Sequence, residues 1–489
     1  MGTNKRCSSR EVAIFWCMVF LHSSMSLAAG TAEPLVADAA KKGDIDAVQS
    51  LLKQHTDVNV PQADGTTAID WAVYRDDLEM TNLLIRAGAN VNAVSDYGVT
   101  PLSLACTNRN PAMIDSLLKA GANPNAAQST GVTALMTCAR TGNIDAVKLI
   151  LAREPHVNAK ETQLGQTALL WAVAEKHPDV VRALIEHGAD IQIRTKNGFT
   201  PLLFAAQQGD IESARILLEA GANVNEAMPD GMTPLLVASG RGHESLSIFL
   251  LEKGANPNAA TNEGMTALHY AVVRGLTLIQ DVRFDPVISY LFRPNMPELV
   301  KELLKRGANP NVRLTKKVVG ATPYLAAAAS YDVTLMRALV ASGADPRAAT
   351  KAKLTALMAA AGMGRREDRT EEEERDALQA VKVAFELGSD LNATNDIGQT
   401  AVHAAAYTGS DAIIEFLAEK GGNLDAKDKY GQTALSIAEV VITPELVDFG
   451  VRPFIVHKST ADLLLKLGAT PLAASASTPA QHGSAGRSQ

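Results

Sequence analysis

The residues of this 489-residue chain that could support catalysis or hold a metal are few and scattered. His177 and His187 stand ten positions apart on and beside a predicted helix, where a surface position accounts for both. The four adjacent carboxylates of Glu371–Glu374 lack the alternating Asp-x-Asp-x-Gly spacing of a calcium loop, so they predict a solvated helix start. Gly-x-Ser-x-Gly, His-Glu-x-x-His, paired Cys-x-x-Cys and Gly-rich phosphate loops are all absent. We therefore expect no enzyme activity, no metal site and no cofactor.

The elements that position these residues come from one stretch that the chain repeats, 198–230 (GFTPLLFAAQQGDIESARILLEAGANVNEAMPD). Thr200 is a suitable N-cap for a first helix, and Gly209 is a suitable stop. Asp210 can cap a second helix, in which Leu217 falls on the apolar face. Two helices this short cannot bury that face alone, so the stretch needs a copy of itself on each side.

The copies follow one another with a nearly constant period. The first seven leading glycines are separated by 33 or 34 residues: Gly65, Gly98, Gly131, Gly165, Gly198, Gly231 and Gly264. After a longer gap the series resumes with Gly320, Lys353 in place of glycine, Gly398 and Gly431. We number these units repeats 2 to 12, and repeat 1 begins near Pro34 without the leading glycine. Such a period predicts a stacked array rather than one globular core.

The motif resembles that of ankyrin repeats. TPLLFAA at Thr200, TPLSLAC at Thr100, TALHYAV at Thr266 and TAVHAAA at Thr400 are each followed by GANVN, GANPN or GGNLD. The resemblance implies an all-α fold, an α-solenoid of stacked helix-turn-helix units with β-turn tips, over residues 33–470. It also implies a histidine in the first helix that hydrogen-bonds within and between repeats. Only His269 and His403 keep it, and apolar residues replace it in six repeats: Met136, Leu170, Leu203, Leu236, Leu325 and Met358.

The N-terminus differs in kind from the array. Lys5, Arg6 and Arg10 precede the apolar run 12–21, and small residues precede a cut after Ala28. This pattern is typical of a secretory signal peptide over 1–28, so we expect a secreted or periplasmic protein with no stable membrane insertion after cleavage. A buried first helix or an uncleaved anchor is the alternative. The tail 471–489 is small, polar and aperiodic, which predicts disorder.

Two cysteines remain after that cut, Cys106 and Cys138, in small, alanine-like places of first helices in adjacent repeats. A disulfide is conceivable in an exported protein. The two positions are one residue out of phase, however, and adjacent helices lie roughly 8–10 Å apart. We expect two small buried thiols.

Longer segments interrupt every second repeat from the eighth, near 276–296, 364–376 and 440–458. All three fall in the turn from first to second helix, so they should emerge on one edge of the stack. The eighth-repeat segment is apolar enough to pack over its neighbours or to bind a partner.

Ankyrin arrays bind partners through turn tips and the exposed side of the first helices, and the resemblance transfers this concave groove to the present chain. Phe199, Met232 and Met265 give three apolar tips one repeat apart, which predicts an exposed patch, unless they pack on neighbouring hairpins. The remaining predicted contact residues are Val99, Val132, Tyr74, Arg75, Arg140, Gln207, Arg241, Arg274 and Tyr407. A second set borders the core, where we expect a structural role: Trp71, Trp171, Phe204 and Tyr270.

The net charge of −7 and a pI near 5.9, with no evident basic stripe, argue against nucleic acid as the partner. The sequence therefore predicts a monomeric, non-enzymatic scaffold that binds a partner protein through the groove. Two alternatives remain. One is a structural spacer or chaperone-like protector of a partner enzyme, and the other is the non-catalytic subunit of an enzyme.

Overall fold

The computed structural model describes residues 33, 35–272, 295–316, 318–364, 369–439 and 456–472. The chain divides into two compact units, residues 1–128 and 129–489. The described parts of both contain only helices and turns, apart from a single bridge between Ala260 and Thr266. No helix within these ranges combines the length and apolarity needed to cross a lipid bilayer.

The first unit contains repeats 1 to 3. Its first helices are Leu35–Lys42, Ala68–Tyr74 and Pro101–Asn108, and its second helices are Ile45–Lys53, Leu78–Arg86 and Pro111–Lys119. The first helix of each repeat packs against the first helix of the next. In repeat 1, Asp38, Lys41 and Lys42 are exposed, as we predict for a terminal repeat with a solvated outer face.

The second unit contains repeats 4 to 12. Its first helices are Ala134–Thr141, Ala168–Ala174, Pro201–Gln208, Pro234–Arg241, Ala267–Ala271, Pro323–Ala329, Ala356–Ala361, Ala401–Tyr407 and Ala434–Ala438. Its second helices are Ile144–Leu151, Pro178–Glu186, Ile211–Glu219, Glu244–Glu252, Pro297–Lys305, Val333–Ala341, Glu371–Glu386, Asp411–Glu419 and Lys458–Lys466. Within each unit, successive pairs stack as an all-α ankyrin-repeat solenoid.

The helix boundaries follow from the side chains that the sequence places at each end. In repeat 6, the Thr200 hydroxyl accepts a bond from the backbone N–H of Leu203, and the Asp210 carboxylate accepts one from Ser213. Gly209 ends the first helix with a φ of 71°, a left-handed conformation that glycine adopts without strain. Leu217 is fully buried in the second helix, which confirms the predicted apolar face.

A backbone ladder joins the turn tips of the second unit and is interrupted once, between repeats 6 and 7. Each tip closes on itself, as where the Thr195 N–H donates to the Phe199 carbonyl at 2.9 Å. The other tips also donate to the tip before them, as where the Asn262 N–H reaches the Asp230 carbonyl at 2.9 Å, but Pro229 in the tip of repeat 7 has no N–H to donate. The backbone therefore holds the tips of neighbouring repeats in register on either side of this interruption.

The structure corrects the expectation for the two cysteines. Cys106 and Cys138 are both fully buried, as predicted, but each is disulfide-bonded rather than a free thiol. The expectation of free thiols rested on an average helix separation, whereas a disulfide depends on the distance and direction of two particular Cβ atoms.

The acidic run of repeat 10 begins a helix, as predicted. Thr370 caps Glu371–Glu386 and shares a capping box with Glu373, so the carboxylates stand in the helix's first turn. Arg369 lies just before this helix, almost fully buried, and pairs with Glu374 at 3.1 Å. It also donates to the hydroxyl of Tyr331 at 2.8 Å, and thereby joins the end of the tenth-repeat segment to repeat 9.

Several predictions concern residues outside the described ranges. These are the signal peptide 1–28, most of the segments 276–296 and 440–458, residues 365–368 of the segment 364–376, and the tail from 473.

Candidate functional site

The candidate site is the surface that tips and first helices of repeats 4 to 8 form in the second unit. We call it the groove surface and define it by Arg140, Trp171, Phe199, Phe204, Met232, Arg241, Met265 and Tyr270. Except for the exposed Arg140, each of these side chains is half-buried. A half-buried side chain is held in place by its neighbours and still offers one face to a partner.

In repeat 6, a tip residue and a first-helix residue form one aromatic unit. The ring of Phe199 lies 5.2 Å from that of Phe204, centroid to centroid, with an interplanar angle of 54°. Such tilted pairs are favourable by about 0.5–1.5 kcal/mol beyond the area that they bury. Phe199 is therefore not the freely exposed tip that the sequence predicts, because it packs on its own first helix.

Repeats 7 and 8 share a similar contact across their boundary. The hydroxyl of Tyr270 lies 3.8 Å from the sulfur of Met232, which acts as a weak acceptor. The ring packs over Gly240, where a Cβ would be in ordinary van der Waals contact with it at 3.5 Å. Met232 is thus half-buried against repeat 8, and the predicted row of three exposed tips is a row of three half-buried ones.

Repeat 5 adds an indole with a cation above it. The guanidinium of Arg140 lies 5.0 Å from the Trp171 ring centroid, and the Trp171 indole N–H donates to the Gln166 side chain at 2.8 Å. The first unit contains the same arrangement. Lys41 lies 4.7 Å from the Trp71 ring, and Trp71 donates to Gln62 at 2.9 Å.

In the first unit, the Trp71 ring packs against an exposed tyrosine. Tyr74, at the end of the same helix, is 63% exposed and meets Trp71 edge to face at 5.7 Å. Arg75 is exposed and donates to the backbone carbonyl of Lys41 at 3.4 Å. Two of the predicted contact residues therefore lie side by side here. Val99, in repeat 3, is half-buried.

Histidines at the start of second helices fix the backbone beneath three predicted contact residues. The Nε2 atoms of His177, His243 and His457 bond the carbonyls of the preceding repeat at 3.0, 3.1 and 3.1 Å. Those carbonyls belong to Arg140, Gln207 and Tyr407 respectively. His177 is accordingly half-buried and joins two repeats, which is more than the surface position expected for it.

Two further contact residues complete the predicted set. Val132 is a half-buried tip residue of repeat 4. Arg274 lies outside the described residues.

The two histidines of the first-helix motif have the structural role that the resemblance implies. His269 Nδ1 accepts the Thr266 N–H at 3.3 Å, so its Nε2 donates to the Ala321 carbonyl of the next repeat at 3.4 Å. His403 makes the equivalent bonds to Thr400 and to the Gln432 carbonyl. Burial lowers the pKa of His269 to about 4, which keeps the imidazole neutral.

Sequence reasoning missed one buried carboxylate at this motif position, Asp70 in repeat 2. Its Oδ2 atom accepts the backbone N–H and the hydroxyl of Thr67 at 2.9 and 2.7 Å. The other oxygen, Oδ1, is buried without a hydrogen-bond partner. Burial raises the pKa of Asp70 to about 6. The signal was present in the sequence, since Thr-x-x-Asp is a capping-box spacing.

Across the described ranges, no group of three or more His, Cys, Asp or Glu side chains is placed to hold a metal ion. The chemistry that the groove surface offers is that of a binding face. Aromatic rings, thioethers and guanidinium groups are available for contact there.

Fold and surface together define a helical repeat protein whose conspicuous surface is an aromatic, methionine-bearing face. The family model for ankyrin repeats in groups of three copies matches residues 36–128, 114–195, 135–228, 202–282 and 373–441. The single ankyrin-repeat model matches residues 263–313. These matches span more than two thirds of the sequence, and the chain belongs to the ankyrin-repeat family. Ankyrin repeats are generally protein–protein interaction modules.

Among solved structures, the chain is similar to the crystal structure of the human ASB11 ankyrin repeat domain, with 26% sequence identity. The match covers 45% of this chain and 98% of the other, with a TM-score of 0.41.

Proposed function

We propose that this protein is a non-enzymatic scaffold that binds a partner protein through the groove surface. One observation carries the proposal: aromatic and methionine side chains from consecutive repeats, Trp171, Phe199, Phe204, Met232 and Tyr270, are all half-buried. Side-chain contacts position these groups before any partner binds: Phe199 packs on Phe204, Met232 on Tyr270, and Arg140 on Trp171. A preorganised surface loses less side-chain entropy on binding than a mobile one.

The residue types support the same proposal. Tryptophan, tyrosine and arginine are the usual energetic anchors of interfaces, and methionine adapts to the shape of a partner. Arg140 stacks on Trp171, so the charge and the ring that it covers form one contact element. A partner that displaces the Arg140 guanidinium can pack on the face of the Trp171 indole. A partner that carries a carboxylate can instead pair with the guanidinium.

The test is affinity capture from the native extract with the mature chain as bait. A variant with Phe199→Ser, Met232→Ser and Met265→Ser should lose the partner, because three contact side chains in consecutive repeats are removed. The matched control replaces three half-buried second-helix residues instead: Ile211→Ser, Leu218→Ser and Val340→Ser. Circular dichroism of both variants should match that of the parent chain.

A partner recovered equally well with the groove variant and with the control would contradict the proposal. That result favours the alternative of a structural spacer, because a spacer tolerates changes in the groove.

We also propose that the protein is exported and cleaved after Ala28. The basic, apolar and small-residue pattern of 1–28 supports this, and so do two disulfide-bonded cysteines, which persist in oxidising compartments. N-terminal sequencing of the protein from its source should begin at Ala29. A chain that retains Met1 or Gly2 would refute the proposed cleavage.

A further inference from the structure

The turn tips of repeats 9, 10 and 12 carry a row of exposed basic side chains. We call this row the basic strip, and its members are Arg313, Lys316, Lys351, Lys353, Lys427 and Lys429. All six lie in the second unit, on tips rather than on helices. Their position therefore owes nothing to the preference of cations for helix C-termini.

The backbone ladder keeps these tips in line. The N–H of Thr315 donates to Glu263 at 3.0 Å, and that of Lys351 donates to Val319 at 2.7 Å. Beyond them, Asp396 donates to Ala352 at 3.1 Å and Lys429 to Ile397 at 2.8 Å. Each tip is thus bonded to the one before it, from repeat 8 to repeat 12. Helices packed side by side are roughly 8–10 Å apart, so neighbouring tips recur at about that spacing, and the tip of repeat 11, which carries Asp396, separates the basic groups of repeats 10 and 12.

Little negative charge on these tips opposes the strip. Asp396 is exposed on the repeat 11 tip and lies 3.8 Å from the Lys353 ammonium group. Asp428 is buried, and its carboxylate accepts the N–H groups of Tyr430 and Gln432 at 2.9 Å each. Arg313 donates to the Ala349 carbonyl at 2.7 Å, which holds its guanidinium at this edge.

The charge changes sign farther back along the same edge. The tips of repeats 7 and 8 carry Asp230 and Glu263, and the segments 226–232 and 259–265 contain no lysine or arginine. An anionic ligand that follows the edge is therefore attracted over repeats 9 to 12 and repelled beyond Glu263. The strip favours a short anionic segment over an indefinitely long polyanion.

We propose that the basic strip is a docking surface for a short, extended, acidic segment of a protein. An extended chain rises about 3.3 Å per residue, so carboxylates at every third position can face the basic tips of repeats 9 and 10, and one six residues farther on can face that of repeat 12. Nucleic acid fits less well, since the tips of repeats 9 and 10 carry no aromatic residue for base stacking, Lys429 covers the Tyr430 ring of repeat 12 at 5.1 Å, and the chain has a net charge of −7. A membrane needs a broader basic face than a single row of tips.

The strip and the groove surface use different side chains, so each can be tested while the other stays intact. The probe for the strip is a fluorescein-labelled peptide of twelve residues with glutamate at every third position and serine and glycine between. Its binding to the full chain is followed by fluorescence anisotropy at low salt. The strip variant carries Lys316→Gln, Lys351→Gln, Lys427→Gln and Lys429→Gln. The charge-matched control replaces exposed lysines of second helices: Lys53→Gln, Lys119→Gln, Lys148→Gln and Lys301→Gln.

The parent and the control should bind the probe equally, and the strip variant should bind about tenfold or more weakly. Asp396→Asn should tighten binding, because it releases Lys353 from its ion pair. Equal binding by the strip variant and the control would overturn the proposal. So would tighter binding of a twelve-nucleotide oligothymidylate, or of vesicles with one third phosphatidylserine, than of the peptide. All the substituted lysines are exposed, so a melting curve like that of the parent should accompany each variant.

Discussion

Repeats 2 and 8 use opposite chemistry at the same position of the first helix. In repeat 8, the His269 imidazole bonds the cap of its own helix with one nitrogen and the next repeat with the other. In repeat 2, the Asp70 carboxylate bonds only its own cap, and its second oxygen is buried without a partner. One backbone therefore accepts an acid or a base there. What differs is whether the side chain also joins its neighbour.

Most other repeats place an apolar side chain at this position. Leu170, Leu203 and Leu236 are fully buried, with no polar atom to satisfy. The fold thus needs a filled volume at this place more than it needs a hydrogen bond. The histidine network that the resemblance implies is present only in repeats 8 and 11.

The largest effect should come from emptying that volume. Leu203→Ala removes buried methyl groups and should lower the free energy of unfolding by about 2–5 kcal/mol. The measurement is denaturant unfolding, with local amide exchange of Pro201–Gln208 to assign the change to repeat 6. Gln207→Ala in the same helix is the control and should cost little. A cost below about 0.5 kcal/mol for Leu203→Ala would show that filled volume is not what repeat 6 requires.

The second prediction tests the basic member of the comparison, His269. The folded pKa of His269 is lowered from 6.5 to about 4, so the unfolded chain binds more protons between these values. Stability should therefore fall as pH decreases from 6.5 to 4, by on the order of 3 kcal/mol. Amide exchange in Ala267–Ala271, corrected for the intrinsic rate, measures this loss. His269→Gln should remove most of the dependence, and His403→Gln is the matched test in repeat 11. An unchanged pH slope in His269→Gln would assign the loss to other groups.

The smallest of the three effects has the opposite sign. The folded pKa of Asp70 is raised from 3.8 to about 6 by burial, so its contribution to stability is full below pH 3.8 and is lost as pH rises through 6. Repeat 2 should gain about 3 kcal/mol or less when the pH is lowered from 7 to 4. Asp70→Asn should flatten this response in the exchange of Ala68–Tyr74. If the parent showed no gain on acidification, the buried carboxylate would be hydrated and the contrast between the two repeats would not hold.

The fold was largely readable from the sequence because its determinants are local. Thr200, Gly209 and Asp210 act within a few residues of themselves, and a spacing of 33 residues repeats their signals. The roles of His269 and His403 were likewise implied by the motif. The single capping-box aspartate of repeat 2 was overlooked because one acidic residue in a variable place carries no periodic signal.

The candidate site was less predictable because it depends on contacts between repeats. Phe199 packs on Phe204, and Met232 contacts Tyr270. These contacts depend on side-chain rotamers, which the spacing of residues in the sequence does not determine. The basic strip could not be recognised in the sequence for another reason. The two lysines of repeat 10 and the two of repeat 12 are distant in sequence, and only the ladder of tips aligns them.

The contact between a glycine and the histidine of the following repeat also limits how such an array can evolve. A methyl group on Gly209 would lie 2.6 Å from the ring of His243, and one on Gly409 would lie 2.3 Å from that of His457. A repeat that begins its second helix with histidine therefore fits only behind a repeat that ends its first helix with glycine. Duplication of a single repeat creates new neighbours, so this contact is preserved only where the glycine and the histidine are duplicated together. The unit that a duplication must preserve is therefore the junction between two repeats rather than the repeat itself.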